Sequence, residues 1–169
     1  HRDPHLSLRR QRQMCIRDST IDAKSRLAIP ADIRNRLDDN LHGTGFYVAP
    51  GMANTLWLWP QLTFEHMAMA TEASLLPDED LQGFDEFLYS QAAFVEMDKT
   101  GRIRIPERLL QLANLGTQVT LLGVKDHLEL RDPDRWAQQR QDKLASQNEI
   151  MMRARRAMVR SRLASTEDS

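Results

Sequence analysis

The chain has 169 residues, a hydrophobic content of 41% and a formal net charge of −1, which fit one or two small domains near the lower size limit for an independent core. The near-zero charge excludes a nucleic-acid binder that depends on its overall charge, so a function of that kind needs a local basic face. A single Cys excludes a disulfide framework and a Cys-based zinc site, and no apolar run approaches the roughly 20 residues that span a bilayer, so we expect no membrane partner.

The chain begins with a polar, basic segment, residues 1–19, that looks foreign to the rest. Residues 14–19 resemble one reading frame of a transposon-end adaptor used to prepare sequencing libraries. We therefore expect residues 1–19 to be a non-native, adaptor-derived segment and exclude them from the fold. On this interpretation Cys15 is not native and native residues of the first strand are missing. The alternative is a disordered basic arm that contacts phosphates.

A repeated motif organises the remaining chain into two units. Residues 22–30 and 98–106 both read D-x-x-x-R-x-x-I-P. Each copy precedes a short helical pattern, over residues 31–37 and 107–113. Segments rich in β-branched, aromatic or aliphatic residues predict strands at 46–48, 56–60, 119–122 and 127–130. Each unit is therefore expected to run strand, turn, strand, short helix, strand, hairpin, strand.

Helical patterns separate and follow the repeats. Residues 61–73 and 81–91 carry apolar side chains at helical spacing, and Asp78 or Asp80 can cap the second helix. A last helix is predicted from Pro133 to about Leu163. The predicted division is 1–19, adaptor-derived segment; 20–60, first repeat; 61–91, helical linker; 92–137, second repeat; and 138–169, C-terminal basic helix and tail. The arginines of that helix form either a solvated face or a contact with phosphates or an anionic surface.

Each motif is expected to bury aliphatic side chains and to display basic ones. Strand side chains alternate, so Ile103 and Ile105 point inward while Arg102 and Arg104 point outward. The first copy follows the same alternation.

The turn of each motif is expected to depend on its aspartate. Asp22 and Asp98 can accept hydrogen bonds from backbone N–H groups of the turn. Gly101 suits a positive φ, whereas Ser25 does not, so we expect the first turn to be looser or of another type.

The paired Asp and Arg of one motif can be a local ion pair without a ligand. Two copies at the same spacing instead favour a repeating ligand such as duplex DNA, because the planar guanidinium binds phosphates and guanine edges through two hydrogen bonds. The candidate DNA-binding residues are Lys24, Arg26, Lys99, Arg102 and Arg104, and the candidate turn-structuring residues are Asp22, Ser25, Asp98 and Gly101. The sequence shows no metal-ligand spacing, nucleophile elbow or phosphate-binding glycine loop, so we expect no metal, no cofactor and no enzymatic activity.

The doubled motif resembles the paired signature of the MraZ family, a branch of the SpoVT/AbrB-type proteins. Residues 95–102 and 121–130 resemble the second unit of that family closely, and the resemblance covers about residues 20–137. It implies a mixed α+β fold: a tandem SpoVT/AbrB-like swapped-hairpin β-barrel with pseudo-twofold symmetry, plus interdomain and C-terminal helices. Two positions depart from the family pattern, since Ser25 replaces the usual glycine and Arg131 stands where an aromatic residue is common.

The resemblance also implies a function. Such a protein self-associates into closed rings and binds direct repeats in the promoter of the division and cell-wall gene cluster, in the cytoplasm and on the nucleoid. Two alternatives remain open. One is an AbrB-like antitoxin that binds DNA and a toxin, and the other is a ring-forming interaction scaffold without specific DNA binding.

Overall fold

The computed structural model describes residues 16–70 and 78–167. Two compact units divide the chain, the first ending at Pro133 and the second beginning at Asp134. The strands are β1 (Ile16–Thr20), β2 (Arg26–Ala28), β3 (Gly45–Pro50), β4 (Leu56–Pro60), β5 (Ala93–Glu96), β6 (Arg102–Arg104), β7 (Gln118–Val124) and β8 (His127–Arg131). The helices are α1 (Ala31–Arg34), α2 (Asp39–His42), α3 (Gln61–Ala70), α4 (Glu79–Gln91), α5 (Glu107–Leu112), α6 (Pro133–Ala145) and α7 (Gln147–Glu167).

The strands of the two repeats interleave. Six of them form an antiparallel sheet in the order β1-β7-β8-β4-β3-β5, and β2 pairs with β6 in a separate two-stranded ribbon. The order is symmetric: when each strand is replaced by its counterpart in the other repeat, the same order results, read from the opposite edge of the sheet. Strand β1 therefore pairs with β7, and β3 pairs with β5, so each repeat completes the sheet of the other.

The mixed α+β class is confirmed, with an antiparallel sheet and several helices. Among the described residues the six-stranded sheet is open, because β1 and β5 each have one neighbour. The described strands thus form an open sheet and a ribbon, and no closed barrel is present in this part of the chain.

The first strand corrects one expectation about the N-terminal segment. Residues 16–19 belong to β1, where Ile16 lies opposite Leu122 and Ser19 opposite Val119. These residues take part in the fold, contrary to their exclusion on the basis of sequence. Because ladder pairing uses backbone groups, the strand does not bear on the origin of its sequence. Residues 1–15 lie outside the described part of the chain.

The core forms where the ribbon meets the sheet. Leu27 and Ile103 lie directly opposite each other in the ribbon, with exposed fractions of 0% and 1%. They share one apolar cluster with Val48 and Leu121 of the sheet. Burying a side chain of this size stabilises a fold by roughly 1.5–3 kcal/mol, so the alternation predicted for the motifs fixes which face of the ribbon points outward.

The helices depart in part from their predicted bounds. Helix α1 ends at Arg34, three residues before its predicted end, and α2 lies between the predicted helix at 31–37 and the predicted strand at 46–48, where no helix was expected. Helix α2 begins because the carboxylate of Asp38 accepts a hydrogen bond from the Asn40 N–H at 2.9 Å. Asp78, one of the two predicted caps, does the same for Asp80 at the start of α4. The predicted residues 71–73 of the helix before it lie outside the described residues.

The predicted C-terminal helix consists of α6 and α7. Ser146 lies between them, and its N–H and hydroxyl both donate to the carbonyl oxygen of Asp142. None of the described helices is both long enough and apolar enough to cross a lipid bilayer.

Candidate nucleic-acid interface

The first Asp turn, residues 22–26, is closed around one carboxylate. Asp22 Oδ1 accepts from the N–H groups of Lys24 and Arg26, both at 2.9 Å. Its Oδ2 accepts from Arg26 Nε at 2.7 Å. The backbone closes as well, since Ser25 N–H donates to the Asp22 carbonyl and Asp22 N–H to the Arg26 carbonyl. The carboxylate therefore fixes the backbone of the turn and the start of the Arg26 guanidinium together.

The second Asp turn, residues 98–102, repeats this scheme. Asp98 Oδ1 accepts from the N–H groups of Thr100 and Arg102 at 2.9 Å, and Oδ2 accepts from Arg102 Nε at 3.2 Å. One contact is added, because the Thr100 hydroxyl donates to Oδ1 at 2.7 Å. Gly101 has a φ of 78°, as its lack of a side chain allows.

Ser25 overturns the expectation of a looser first turn. It adopts a φ of 60°, and the hydrogen bonds around it match those around Gly101. The left-handed conformation costs a non-glycine residue roughly 1–2 kcal/mol. The hydrogen bonds to Asp22 on both sides of Ser25 offset that cost, so the expectation from conformational preference alone was wrong.

Both turn carboxylates hold their negative charge. Hydrogen bonds from the Arg26 N–H and guanidinium lower the pKa of Asp22, although burial of the carboxylate opposes this shift. The Thr100 hydroxyl and the Arg102 N–H hold the pKa of Asp98 well below its usual range. Each turn therefore keeps its ion pair at neutral pH.

The ribbon gathers the predicted arginines on one face. In its register Arg26 lies opposite Arg104, and Ala28 lies opposite Arg102. These residues alternate with the buried Leu27 and Ile103 pair, so all of them face outward. The Asp turns lie at opposite ends of the ribbon, each carrying an exposed lysine: Lys24 in the first and Lys99 in the second. The structure thus brings all five candidate DNA-binding residues to one ribbon.

The arginines of the turns retain donors for a ligand. The Arg26 and Arg102 side chains are 31% and 36% exposed, and each bonds its aspartate through Nε. A guanidinium has five N–H donors, so this contact uses one of them. The aspartate orients the planar group, and the remaining donors form the fork that matches a phosphate or a guanine edge.

Sequence analysis missed two residues beside the turns. Arg34 donates from Nε to the Ile29 carbonyl at 3.0 Å, and its side chain lies over Gly101. A Cβ added at Gly101 would come within 2.5 Å of Arg34 Cδ. At the other end of the ribbon, the Ser25 hydroxyl lies 3.5 Å from Glu107 Oε1. No local signal marks the approach of Arg34 to Gly101 or of Ser25 to Glu107, because each joins one repeat to the other.

A second polar cluster lies within the sheet. His127 contacts Asp126 through Nδ1 at 2.9 Å and Glu129 through Nε2 at 3.2 Å, and the buried Glu129 accepts from Arg131 Nε at 2.8 Å. Burial opposes the charge of the imidazole, but the two carboxylates outweigh it and raise the pKa of His127 to about 9. The Trp57 ring lies 4.8 Å from the imidazole. These hydrogen bonds and ion pairs join charged side chains of β8 to one another and to Asp126 in the turn before it.

A metal site is not formed by these groups. The described residues contain no group of three or more His, Cys, Asp or Glu side chains arranged to hold a metal ion. The basic ribbon with its two Asp turns is the candidate functional site, because it holds all five candidate DNA-binding residues.

Comparison with known proteins places the chain in a family. The model of the MraZ family, described as "MraZ protein, putative antitoxin-like", matches residues 17–83 and 88–160. A protein from Roseiflexus castenholzii named Transcriptional regulator MraZ is 34% identical over 119 residues, which are 70% of this chain and 80% of that protein. A protein of the same name from Limosilactobacillus reuteri is 37% identical over 117 residues, 69% of this chain and 79% of that protein. Another, from Alkaliphilus metalliredigens, is 31% identical over 134 residues, 79% of this chain and 90% of that protein.

The two matched segments each contain one Asp turn and one strand of the basic ribbon. The match therefore extends to both repeats and to the surface that they build together. On this evidence, the chain belongs to the MraZ family.

Proposed function

We propose that this protein is a sequence-specific DNA-binding transcriptional regulator that acts in the cytoplasm, on the nucleoid. The observation that carries the proposal is the ribbon, whose outward face holds arginines fixed by Asp22 and Asp98. The names of the relatives, which are transcriptional regulators and not enzymes, agree with it. A local basic face of this kind is what a chain with a net charge of −1 needs in order to bind DNA.

The ribbon suits the major groove of duplex DNA. That groove admits a two-stranded β-ribbon, and the commonest specific contact in it is an arginine with two hydrogen bonds to guanine. Arg26 and Arg102 take this role because their aspartates orient them before binding. Lys24, Lys99 and Arg104 contact phosphates, which positions the ribbon without reading sequence.

Self-association into closed rings completes the proposal. One ribbon offers few contacts, so affinity for a single site is low. Repeated operator boxes upstream of the division and cell-wall genes would engage several subunits at once, and linked binding events raise the overall affinity without any new contact. The interleaved strand order supports a pseudo-twofold, swapped-hairpin arrangement within each subunit.

A second candidate function is that of an antitoxin. The family description contains the term antitoxin-like. In this function the ribbon would bind DNA and another surface would bind a toxin. A toxin that co-purifies with the protein would favour this function. A ring-forming scaffold without specific DNA binding is the remaining alternative, and it predicts that Arg26 and Arg102 are dispensable.

Fluorescence anisotropy with DNA from upstream of the gene tests the proposal. The variant is Arg26→Ala/Arg102→Ala, and the matched control is Arg140→Ala/Lys143→Ala, which removes the same charge from α6. The proposal expects salt-sensitive binding that prefers the native DNA over a scrambled duplex and is lost only in the first variant. Equal weak binding of both variants to both duplexes would overturn it. Circular dichroism and thermal unfolding check that each variant is folded.

A further inference from the structure

Helix α4 presents an exposed, apolar and acidic face. Leu81, Phe84 and Phe87 are 62%, 57% and 52% exposed. One turn after Phe84, near the end of the helix, Leu88 packs against the cluster around Trp59 and Phe64 and anchors that end. The acidic residues of this region are Asp78, Glu79, Asp80, Asp85 and Glu86, and residues 78–91 contain no Lys or Arg. Positions 80, 84 and 87 share a helix face, so an acid lies beside the two phenylalanines.

Helix α7 presents the complementary combination. Ile150, Met151 and Met158 are 43%, 65% and 64% exposed, and with Ala154 they form one apolar stripe at helical spacing. Arginines flank the stripe on both sides: Arg153 and Arg160 on one, Arg155 and Arg162 on the other. Residues 150–166 contain no Asp or Glu.

The two faces match each other in length and charge. At about 1.5 Å per residue, the stripe from 150 to 158 spans roughly 12 Å and the apolar residues from 81 to 87 roughly 9 Å. Packing α7 on α7 would place arginines against arginines, and packing α4 on α4 would place acids against acids. Packing α7 on α4 instead pairs opposite charges around an apolar centre. An exposed apolar patch with a polar rim marks an interaction surface.

We propose that α7 of one molecule packs on α4 of a second copy of this chain. Each chain then carries one α4 face and one α7 face, so the contact between copies is head-to-tail. Such contacts form a closed ring when the rotation from one subunit to the next adds up to a full turn. The inference rests on the self-association proposed above and names the surfaces that form it. Binding of nucleic acid to the α7 arginines would leave the phenylalanines of α4 and the methionines of α7 unexplained.

Charge reversal on each helix tests the contact by sedimentation velocity on the full chain. The α4 variant is Asp80→Arg/Asp85→Arg, and the α7 variant is Arg153→Glu/Arg160→Glu. Each variant alone should sediment as a single chain. Mixed in equal amounts they should assemble again, because every α7 then meets an α4 of opposite charge. The matched control, Arg140→Glu/Arg156→Glu, changes the net charge equally, away from the stripe, and should assemble like the unaltered chain.

Several outcomes would overturn the inference. These are an unaltered chain that sediments as a monomer, variants that keep their assembly, and a mixture that fails to reassemble although both variants unfold at the normal temperature. Loss of binding to a single operator box in the α7 variant, without loss of assembly, would assign the arginines to nucleic acid instead. The test is separate from the proposed function, because the α4 variant should still bind one box through its ribbon while losing the gain that repeated boxes provide.

Discussion

The two Asp turns share one hydrogen-bond scheme but have opposite neighbours. In both, a carboxylate accepts two backbone N–H groups and the Nε of an arginine. The second turn has the cationic Arg34 packed over Gly101, whereas the first has Glu107 beside Ser25. Arg34 follows the proline of the first motif, and the equivalent position of the second repeat is Leu110, which is uncharged. The scheme is thus duplicated while the surrounding charge is not.

The cross-strand neighbours differ as well. Arg26 of the first turn faces Arg104, whereas Arg102 of the second faces Ala28. The first end of the ribbon therefore has two arginines and a nearby acid, and the second has one ribbon arginine and Arg34. The two repeats thus share the geometry of the turn but differ in the charges around it, so we expect the two ends of the ribbon to contribute unequally to DNA binding.

Removing the arginine of each turn should have the largest effect and should separate the two ends. Arg102→Ala is expected to weaken specific DNA binding by roughly 1–3 kcal/mol, the cost of losing a base contact made through two hydrogen bonds. Arg26→Ala should cost less, because Glu107 lies near this end of the ribbon and already opposes binding of the DNA there. Anisotropy on operator and random DNA measures both. Equal losses on the two DNAs would mean that the arginines contact only phosphates.

Exchanging the left-handed residues tests whether the turns are equivalent in packing. Gly101→Ser should destabilise the fold by roughly 1–2 kcal/mol, since serine must adopt a φ of 78° and the Arg34 side chain must move away from the new Cβ. Ser25→Gly should change stability by only about 0.5–1 kcal/mol, because glycine loses more conformational freedom but relieves a positive φ. Urea unfolding measures both changes. Adding Arg34→Ala to Gly101→Ser should recover part of the loss, and no recovery would show that the overlap is not its cause.

Neutralising the neighbours should shift DNA affinity in opposite directions. Arg34→Gln is expected to weaken binding to any duplex and Glu107→Gln to strengthen it, each by roughly 0.2–1 kcal/mol as for exposed charge pairs. If Arg34 contacts a phosphate, the slope of log affinity against log salt should fall by about 0.9. Titrations at several salt concentrations measure this. Shifts of the same sign would contradict the electrostatic difference between the ends.

Acid titration should show the smallest difference. Both carboxylates have a lowered pKa, so the stability that they contribute is present above the ordinary Asp pKa of about 3.9 and is lost as the pH falls through the folded value. Asp98 should hold its charge to lower pH than Asp22, because it also accepts from the Thr100 hydroxyl. Carboxyl NMR measures both values. Thr100→Val should bring Asp98 closer to Asp22, and an unchanged titration would remove the hydroxyl from the explanation.

The two faces of the ribbon and the positions of the Asp turns could be predicted from local sequence patterns. The alternation of Leu27 or Ile103 with basic neighbours sets the two faces of the ribbon, and the repeated spacing sets the turns, so both could be read from short stretches of chain. The candidate DNA-binding residues lie together in the structure, while their contact with DNA stays a prediction. Ser25 was misjudged because conformational preference was weighed without the hydrogen bonds that surround it.

Contacts between the repeats could not be predicted in this way. The approach of Arg34 to Gly101 joins residues far apart in sequence, and nothing near either of them signals it. The raised pKa of His127 could not be predicted either, since it reflects burial in the sheet as well as the adjacent acids. The pairing of β1 with β7 likewise depends on the complete sheet and not on the composition of either strand.

The interleaved sheet has a consequence for synthesis of the protein. Strand β1 leaves the ribosome long before β7, and the Thr120 hydroxyl donates to Asp18 across 102 residues. Strand β2 must also wait for β6. The first half of the chain thus emerges with unpaired strand edges and an unfilled core, and such edges promote aggregation of a nascent chain. Folding is therefore completed only after most of the chain has been translated. Until then we expect the nascent first repeat to bind chaperones that shield apolar segments.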